Sequence, residues 1–366
     1  MSRTNNSRRR FLAGGAAAAT TLATPAIAQS DTPLIEWRLA SSFPRALDTI
    51  FGGADLLAKR VAELTASRFK IKVHAAGELM APFAVTDAVG KAEIEVAHTA
   101  GYYFVGKQNA FAFDCTLPFG LNQRQQNAWM THGDGGRLVG DFLRNYNIVG
   151  FLGGNTGTQM GGWFKQPLRS PLDLKGLKYR IPGIGGKIMS TFGVIPLALP
   201  GGEILKAMES GKVDAAEWVG PYDDEKLKLY EAAKYYYFPG WWESNTSLSF
   251  YVNAGVWEKL PKLYQHVFRS ACAEVNADMM AKYDSLNPAA LERLLDLGVK
   301  LVPFPPEIMR LAQKASFEFY ENEASSNPEF RKLYQNWRLF REGQFAWHRV
   351  AEHTYANFVY TTRVMR

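Results

Sequence analysis

Arg180 stands in the stretch GLKYRIPGIGGK (176–187), where Leu177 to Ile181 reads as a short, half-buried strand closed by Pro182 and Gly183. A permanent guanidinium at the end of such a strand, beside a glycine-rich turn, is suited to a small anion, because its planar fork matches a carboxylate through two parallel bonds. Further polar residues fall at other strand ends. Asn155 and Gln159 sit among the glycines of GGNTGTQMGGWF, where the backbone can approach a ligand closely. Glu217 and Trp218 end a strand in VDAAEWVGPYDDEK, and Glu243 follows two tryptophans in a turn in YYYFPGWWESNTS. Taken singly, each has a plain structural use: Gln159 facing solvent, Glu217 as a surface acid, Trp241 and Trp242 as core. Taken together, two acids and an amide form an oxygen cage for a hard cation, with Arg180 beside it as a carboxylate fork.

Enzyme motifs fall short. GIGGKI after Pro182 lacks the third glycine of a dinucleotide fingerprint and the Gly-Lys-Ser/Thr of a phosphate loop. There is no His-Glu-x-x-His and no Gly-x-Ser-x-Gly, and the six histidines are scattered. His348 and His353, five apart, do not share a helical face well, so packing or surface roles suit them. Cys115 and Cys272 are too few for a disulfide framework; they pair once or stay as buried thiols, and a large core favours the thiols.

The elements that must position these residues alternate strand and helix. Strands are expected at Ile35 to Ala40, Phe69 to His74, Ile94 to His98 and Ile148 to Leu152, with helices at Leu47 to Thr65 and about Gln123 to Asn145. After Gly153-Gly154 a second alternation begins: strands Thr158 to Lys165, Leu177 to Ile181 and Val213 to Trp218, and helices Gly185 to Phe192, Glu203 to Ser210 and one opening at Pro221. Thr246 to Asn253 is again a strand, Pro261 to about Leu297 is helical, and Val299 to Phe304 is extended. Long helices close the chain from Pro305, with an aromatic stripe through Trp337, Phe340, Phe345, Trp347, Tyr355 and Phe358. The rhythm is that of a two-lobed α/β protein with several crossovers, which takes its ligand in the cleft between lobes.

The N-terminus has the form of an export signal. Ser7-Arg8-Arg9-Arg10-Phe11-Leu12 fits a twin-arginine leader, an Ala/Gly/Thr-rich run follows to Thr24, and Ala26-Ile27-Ala28 fits a cleavage site, so residues 1–28 are expected to be removed. The formal charge of +7 includes Arg3, Arg8, Arg9 and Arg10 of that acid-free leader, which leaves +3. Such a balance gives weak support for nucleic acid or a membrane surface as partner. No later segment reaches membrane-spanning length free of charge.

The stretches RLASSFPRALDTIFGGADLLAKRV, GGNTGTQMGGWF, DLKGLKYRIPG, DAAEWVGPYDDEKL and YYYFPGWWE resemble the DctP-type solute receptors of tripartite ATP-independent periplasmic (TRAP) transporters, and the last two resemble their α-keto acid branch closely. The similarity extends over essentially the whole chain after the leader. It implies a periplasmic, bilobal binding-protein fold with a helix spanning both lobes. The expected division is 29–153 with about 246–285 in lobe I, 154–245 with about 286–327 in lobe II, and 328–366 as C-terminal helices able to dimerise.

The resemblance also implies roles. Arg180 matches the arginine that grips the substrate carboxylate, while Gln159, Glu217, the main-chain carbonyl of Trp218 and Glu243 match a cation-holding set completed by the substrate's own carboxylate and 2-oxo oxygens. Asn155 and one of Tyr102 or Tyr103 are implied as hydrogen-bond donors to the same ligand. Two glutamates facing an anionic substrate would repel it, and a cation reverses that. Charge counting favours Ca²⁺, flexible oxygen cages accept Na⁺ as well, and the ion stays open. The expected function is a non-catalytic receptor that delivers a pyruvate-like 2-oxo acid to a TRAP membrane permease. A 2-hydroxy acid such as lactate, or a dicarboxylate, is the alternative ligand, and an exported enzyme with an unrecognised cofactor is the remote alternative.

Overall fold

The computed structural model describes residues 33–362, so the leader and its arginines lie outside the described residues. Its strands are β1 (Ile35–Ser41), β2 (Phe69–His74), β3 (Val96–Thr99), β4 (Ile148–Asn155), β5 (Gly162–Phe164), β6 (Lys178–Arg180), β7 (Ile195–Leu197), β8 (Ala215–Ala216), β9 (Tyr235–Phe238), β10 (Ser247–Asn253) and β11 (Lys300–Pro303). They form two sheets, one ordered β2-β1-β3-β10-β4 and the other β11-β9-β5-β8-β6-β7. In the first, β1 lies parallel to β2 and β3, whereas β10 runs antiparallel between β3 and β4. Every residue of β10 is buried, because this central strand has apolar layers on both faces: Leu248 and Tyr251 join one core, Phe250 and Val252 the other.

The longest helix, Lys262–Asp296, has 35 residues. It packs on β4 and on helix Gly52–Leu64 at one end, and on the short helix Pro221–Lys226 further along. Such a helix is roughly 50 Å long. Among the described residues no helix is long and apolar enough to cross a membrane. Cys115 and Cys272 are both free and buried.

Several expected boundaries move for local reasons. The helix expected over about 123–145 breaks into Gln123–Thr131 and Gly135–Arg144. At Gly133 a Cβ would stand 2.8 Å from the Trp129 carbonyl, a close approach that only glycine allows. The strand expected from Thr158 to Lys165 shrinks to β5, since Gly162 takes φ +92° and the residues before it form a loop. The strand expected from Val213 to Trp218 shortens to β8, leaving Glu217 and Trp218 just past its end. Helix Gly52–Leu64 starts later than Leu47, after a set of tight turns.

The chain closes with helices Pro306–Ser326, Pro328–His348 and Thr354–Thr361, the last two joined by a π-helical turn at Arg349–His353. The aromatic stripe divides. Phe330, Leu333, Tyr334 and Trp337 are buried in the protein's own core against Phe113 and Tyr320, whereas Trp347, Tyr355 and Phe358 are 59 %, 71 % and 68 % exposed. Phe340 also packs against that core, so the exposed aromatic surface of the C-terminal helices lies further along the chain, at Trp347, Tyr355 and Phe358.

Candidate ligand and cation site

β6 ends at Arg180, and its parallel neighbour β8 ends at Ala216, so the register Arg180↔Ala216 delivers Glu217 directly beside the guanidinium. The two residues are joined through both backbone and side chains. Glu217 N–H donates to the Arg180 carbonyl at 3.1 Å, while Arg180 Nη1 donates to the Glu217 carbonyl at 3.0 Å and forms an ion pair with Glu217 Oε1. Arg180 Nε donates to the Leu199 carbonyl at 3.0 Å. The guanidinium also lies 5.1 Å from the Trp218 ring centre, where the indole face favours a cation.

A second pair of loops brings in the other expected residues. Gln159, between β4 and β5, donates its main-chain N–H to the Glu243 carbonyl at 3.1 Å and accepts the Gly240 N–H at 2.8 Å. Its Nε2 donates to Thr156 Oγ1 at 3.0 Å and Thr246 Oγ1 at 2.9 Å, and Thr246 Oγ1 in turn donates to Glu243 Oε2 at 2.8 Å. This relay fixes the amide so that Oε1 is its free acceptor.

The sheets meet at this place. Tyr102 and Tyr103 lie in the 3₁₀ turn Gly101–Phe104 after β3, with their rings edge to face at 4.8 Å. At Gly183, which opens the helix after β6, a Cβ would stand 3.3 Å from Tyr102 Cβ. From the side of the first sheet, Phe43 approaches Tyr103 at 6.3 Å and Trp218 at 6.5 Å between ring centres.

Burial sets the electrostatics. Arg180, Gln159, Glu217 and Glu243 are 1 %, 3 %, 0 % and 2 % exposed. Burial pushes Glu217 up to about 7, against the downward pull of Arg180, and Asp224 pushes it the same way. Burial and then the charge of Glu217 hold Glu243 well above the ordinary carboxylate range. One guanidinium thus faces two carboxyls in a water-poor space, an arrangement short of one positive charge whenever both acids are ionised.

Arg180 Nη2, Glu217 Oε2 and Gln159 Oε1 are buried here without a hydrogen-bond partner, as are the indole Nε1 groups of Trp218 and Trp242. A buried polar group left unpaired is costly, so a built site with the open Arg180 donor beside the open oxygens of Glu217 and Gln159 fits an anion at the first and a cation at the others. Among the described residues no group of three or more His, Cys, Asp or Glu is arranged to hold a metal ion. The donor set here is of another kind, carboxylate, amide and main-chain oxygens, which suits Na⁺ or Ca²⁺ rather than a transition metal.

Asn155 departs from the expectation. Its Nδ2 donates to Asn245 Oδ1 at 2.9 Å and Ser247 Oγ at 3.1 Å, and its Oδ1 accepts the Gly157 N–H at 2.9 Å. The amide is engaged by Asn245 and Ser247, so this side chain ties the end of β4 to the start of β10 instead of offering a donor to a ligand. The stacking of Trp218 on Arg180 and the Thr246 relay were absent from the sequence reading; the Thr in SNTS, three residues past Glu243, was the available signal for the relay.

A family profile for bacterial extracellular solute-binding proteins, family 7 (DctP), matches residues 40–327. The chain belongs to this family. Among DctP relatives, a monocarboxylate 2-oxoacid-binding periplasmic protein from Nostoc sp. (strain PCC 7120) is 51 % identical over 330 residues, 90 % of either chain. A TRAP transporter solute-binding protein from Bordetella bronchiseptica is 43 % identical with a TM-score of 0.89, covering 90 % of this chain and 98 % of its own. Its crystal structure is a mixed-occupancy dimer, with copurified calcium and picolinate in one active site and the other site apo. A second TRAP receptor, from Pseudoalteromonas atlantica, is 32 % identical with a TM-score of 0.86, covers 88 % of this chain and 98 % of its own, and holds sodium and pyruvate. This DctP protein accordingly has the bilobal fold of TRAP receptors, and its family and fold are those of transport proteins.

Proposed function

We propose that this protein is the extracytoplasmic receptor of a TRAP transporter and binds a small monocarboxylic 2-oxo acid, pyruvate-like in size, together with Na⁺ or Ca²⁺, for delivery to the membrane permease. The observation that carries the reading is the set of open buried atoms on Arg180, Glu217 and Gln159. Arg180 Nη2 is free to donate to a carboxylate oxygen while Nη1 and Nε stay tied to Glu217 and Leu199. Gln159 Oε1, Glu217 Oε2, the Glu243 carboxylate and the Trp218 carbonyl supply oxygens to the cation. Tyr102 or Tyr103 stands as a donor to the same acid from the opposite lobe.

When bound, the cation supplies the positive charge that lets two carboxylates and a substrate carboxylate share one buried space. With a divalent ion the formal sum over Arg180, Glu217, Glu243, ion and monocarboxylate is zero; with a monovalent ion one negative charge remains. Burial selects against any partial assembly, since an acid without the ion meets repulsion and an ion without the acid lacks ligands. The names of the similar Nostoc and Pseudoalteromonas proteins support a 2-oxo acid as ligand.

Four further readings belong to this proposal. Lobe I is 29–153 with about 246–285 and lobe II is 154–245 with about 286–327, a reading supported by the presence of two sheets. Residues 1–28 direct export to the periplasm by the twin-arginine route. The protein forms a homodimer through its C-terminal helices, a reading supported by the exposed Trp347, Tyr355 and Phe358 and by the dimeric Bordetella relative. It is a binding protein and not an enzyme.

Calorimetry of pyruvate with protein freed of sodium and calcium, then resupplied with each, tests the central claim. Weak binding that recovers with one ion, and weaker binding of propionate, is the expected result. Pyruvate affinity indifferent to both ions, or lactate bound in preference, overturns it.

A further inference from the structure

The Trp218 carbonyl belongs to a peptide plane whose other end is held by a buried acid. Asp224, in helix Pro221–Lys226, accepts the Val219 N–H at 3.1 Å and the Gly220 N–H at 3.1 Å through Oδ1. Its Oδ2 accepts Trp163 Nε1–H at 2.9 Å and the Tyr236 hydroxyl at 2.7 Å. Trp163 on β5 and Tyr236 on β9 stack at 4.0 Å, so the carboxylate is clamped by the centre of the second sheet.

A trans peptide is planar and its N–H and C=O point in opposite directions. Asp224 receives the Val219 N–H, so the Trp218 carbonyl in the same plane is turned away from Asp224. The next plane is held at both ends, its N–H (Gly220) by Asp224 and its carbonyl (Val219) by the Met160 N–H at 3.0 Å. Met160 follows Gln159 directly. The segment 219–220 therefore ties together the three oxygen donors that the functional reading assigns to Glu217, the Trp218 carbonyl and Gln159. An anion at the N–H end of a peptide also polarises it and raises the electron density on its carbonyl oxygen.

We infer that Asp224 is the positioning residue of the cation site: it aims and polarises the Trp218 carbonyl and fixes the loop that carries Glu217. The inference rests on the cation reading above. The neighbouring Asp223 extends the same support to the spanning helix, where Tyr283 donates to Asp223 Oδ2 at 2.7 Å, and Asn287 Oδ1 accepts the Tyr222 N–H at 3.0 Å. The cation loop is thereby fastened to the long helix that also packs on β4 of the first sheet.

The test compares chelated, sodium-depleted wild type with Asp224→Ala and Asp224→Asn by pyruvate calorimetry at graded CaCl₂ and NaCl concentrations. Asp224→Ala should raise the ion concentration needed for half-maximal pyruvate binding about 10–100-fold, the range for loss of an outer-shell partner, with pyruvate affinity recovering at saturating ion. Asp224→Asn keeps an oxygen for the two N–H groups and should restore part of the loss. If the alanine variant does not fold, a right-shifted ion dependence of Asp224→Asn carries the proposal. Tyr237→Phe supplies the control for stability alone, since its hydroxyl bonds only to Leu168 among the described contacts. It should melt lower yet keep the wild-type ion dependence. Wild-type ion dependence in both Asp224 variants, or an equal shift in Tyr237→Phe, overturns the positioning role while leaving the cation reading intact. A wild-type protein indifferent to both ions removes the cation reading, and this inference with it.

Discussion

The main-chain N–H of Gln159 donates to the carbonyl of Glu243 at 3.1 Å, and their side chains meet again through the Thr246 hydroxyl, which accepts from Gln159 Nε2 at 2.9 Å and donates to Glu243 Oε2 at 2.8 Å. Two loops far apart in sequence are thus held as one ligand-bearing unit. Thr246→Val keeps the shape and removes the relay, freeing the Gln159 amide to turn its Nε2 inward. Ion affinity should fall about tenfold, within the range for outer-shell partners, with little change in fold. Equal ion dependence in calorimetry would contradict the relay.

Arg180→Lys should weaken pyruvate binding by about 1.5–3 kcal/mol, the range for a hydrogen bond to a charged group. Lysine carries one compact ammonium and cannot serve Leu199, Glu217 and a substrate oxygen at once. Calorimetry at saturating ion isolates this loss from the ion site; an unchanged affinity would remove Arg180 as the anchor.

Asp114 offers a pH test at a group that the functional reading does not use. It is buried, accepts from Ser249 at 3.0 Å and Tyr251 at 2.6 Å, and burial raises it to about 6 against those hydrogen bonds. A raised carboxyl favours the folded state while protonated, so its contribution is complete below about pH 4 and is lost as the pH rises through about 6. The shift corresponds to something on the order of 3 kcal/mol. Asp114→Asn should flatten the fall in melting temperature across that window, and an unchanged slope in thermal melts would assign the pH dependence elsewhere.

Two truncations separate dimer contacts from core. Ending the chain before Trp347 removes the exposed Trp347, Tyr355 and Phe358 and should give a monomer on light scattering with most of its stability retained. Ending it before Pro328 also removes Phe330, Tyr334 and Trp337, each worth several kcal/mol in a packed core, and should melt far lower. A full-length monomer in solution would end the dimer reading.

The legible part of the fold was the part written in local pattern. β1, β2, β4 and β10 follow from alternating or continuous apolar runs, and the spanning helix from its unbroken length. β8 keeps only its Ala-Ala centre, and β9 lies in an aromatic run, Tyr235–Phe238, with no alternation to mark it. The break in 123–145 depends on how closely Gly133 approaches Trp129, which periodicity does not record. At the site, residue types at strand ends pointed to Arg180, Glu217, Glu243 and Gln159. The direct Arg180–Glu217 pairing needed the β6–β8 register, and the engagement of Asn155 needed Asn245 and Ser247, both of them long-range facts.

Cys115 carries one more consequence. It is free and fully buried, and burial followed by the charges of Asp114 and Glu243 raises its thiol far above the ordinary range. A protonated, enclosed sulfur is a poor nucleophile, so this thiol is silent towards alkylating reagents while the surrounding layers stay shut. Its main-chain carbonyl accepts the Ser247 N–H at 3.3 Å, next to the Thr246 relay. The chain thus has a built-in chemical clock beside the cleft: the rate at which Cys115 becomes alkylated counts how often that neighbourhood opens, and saturating acid and ion should slow it.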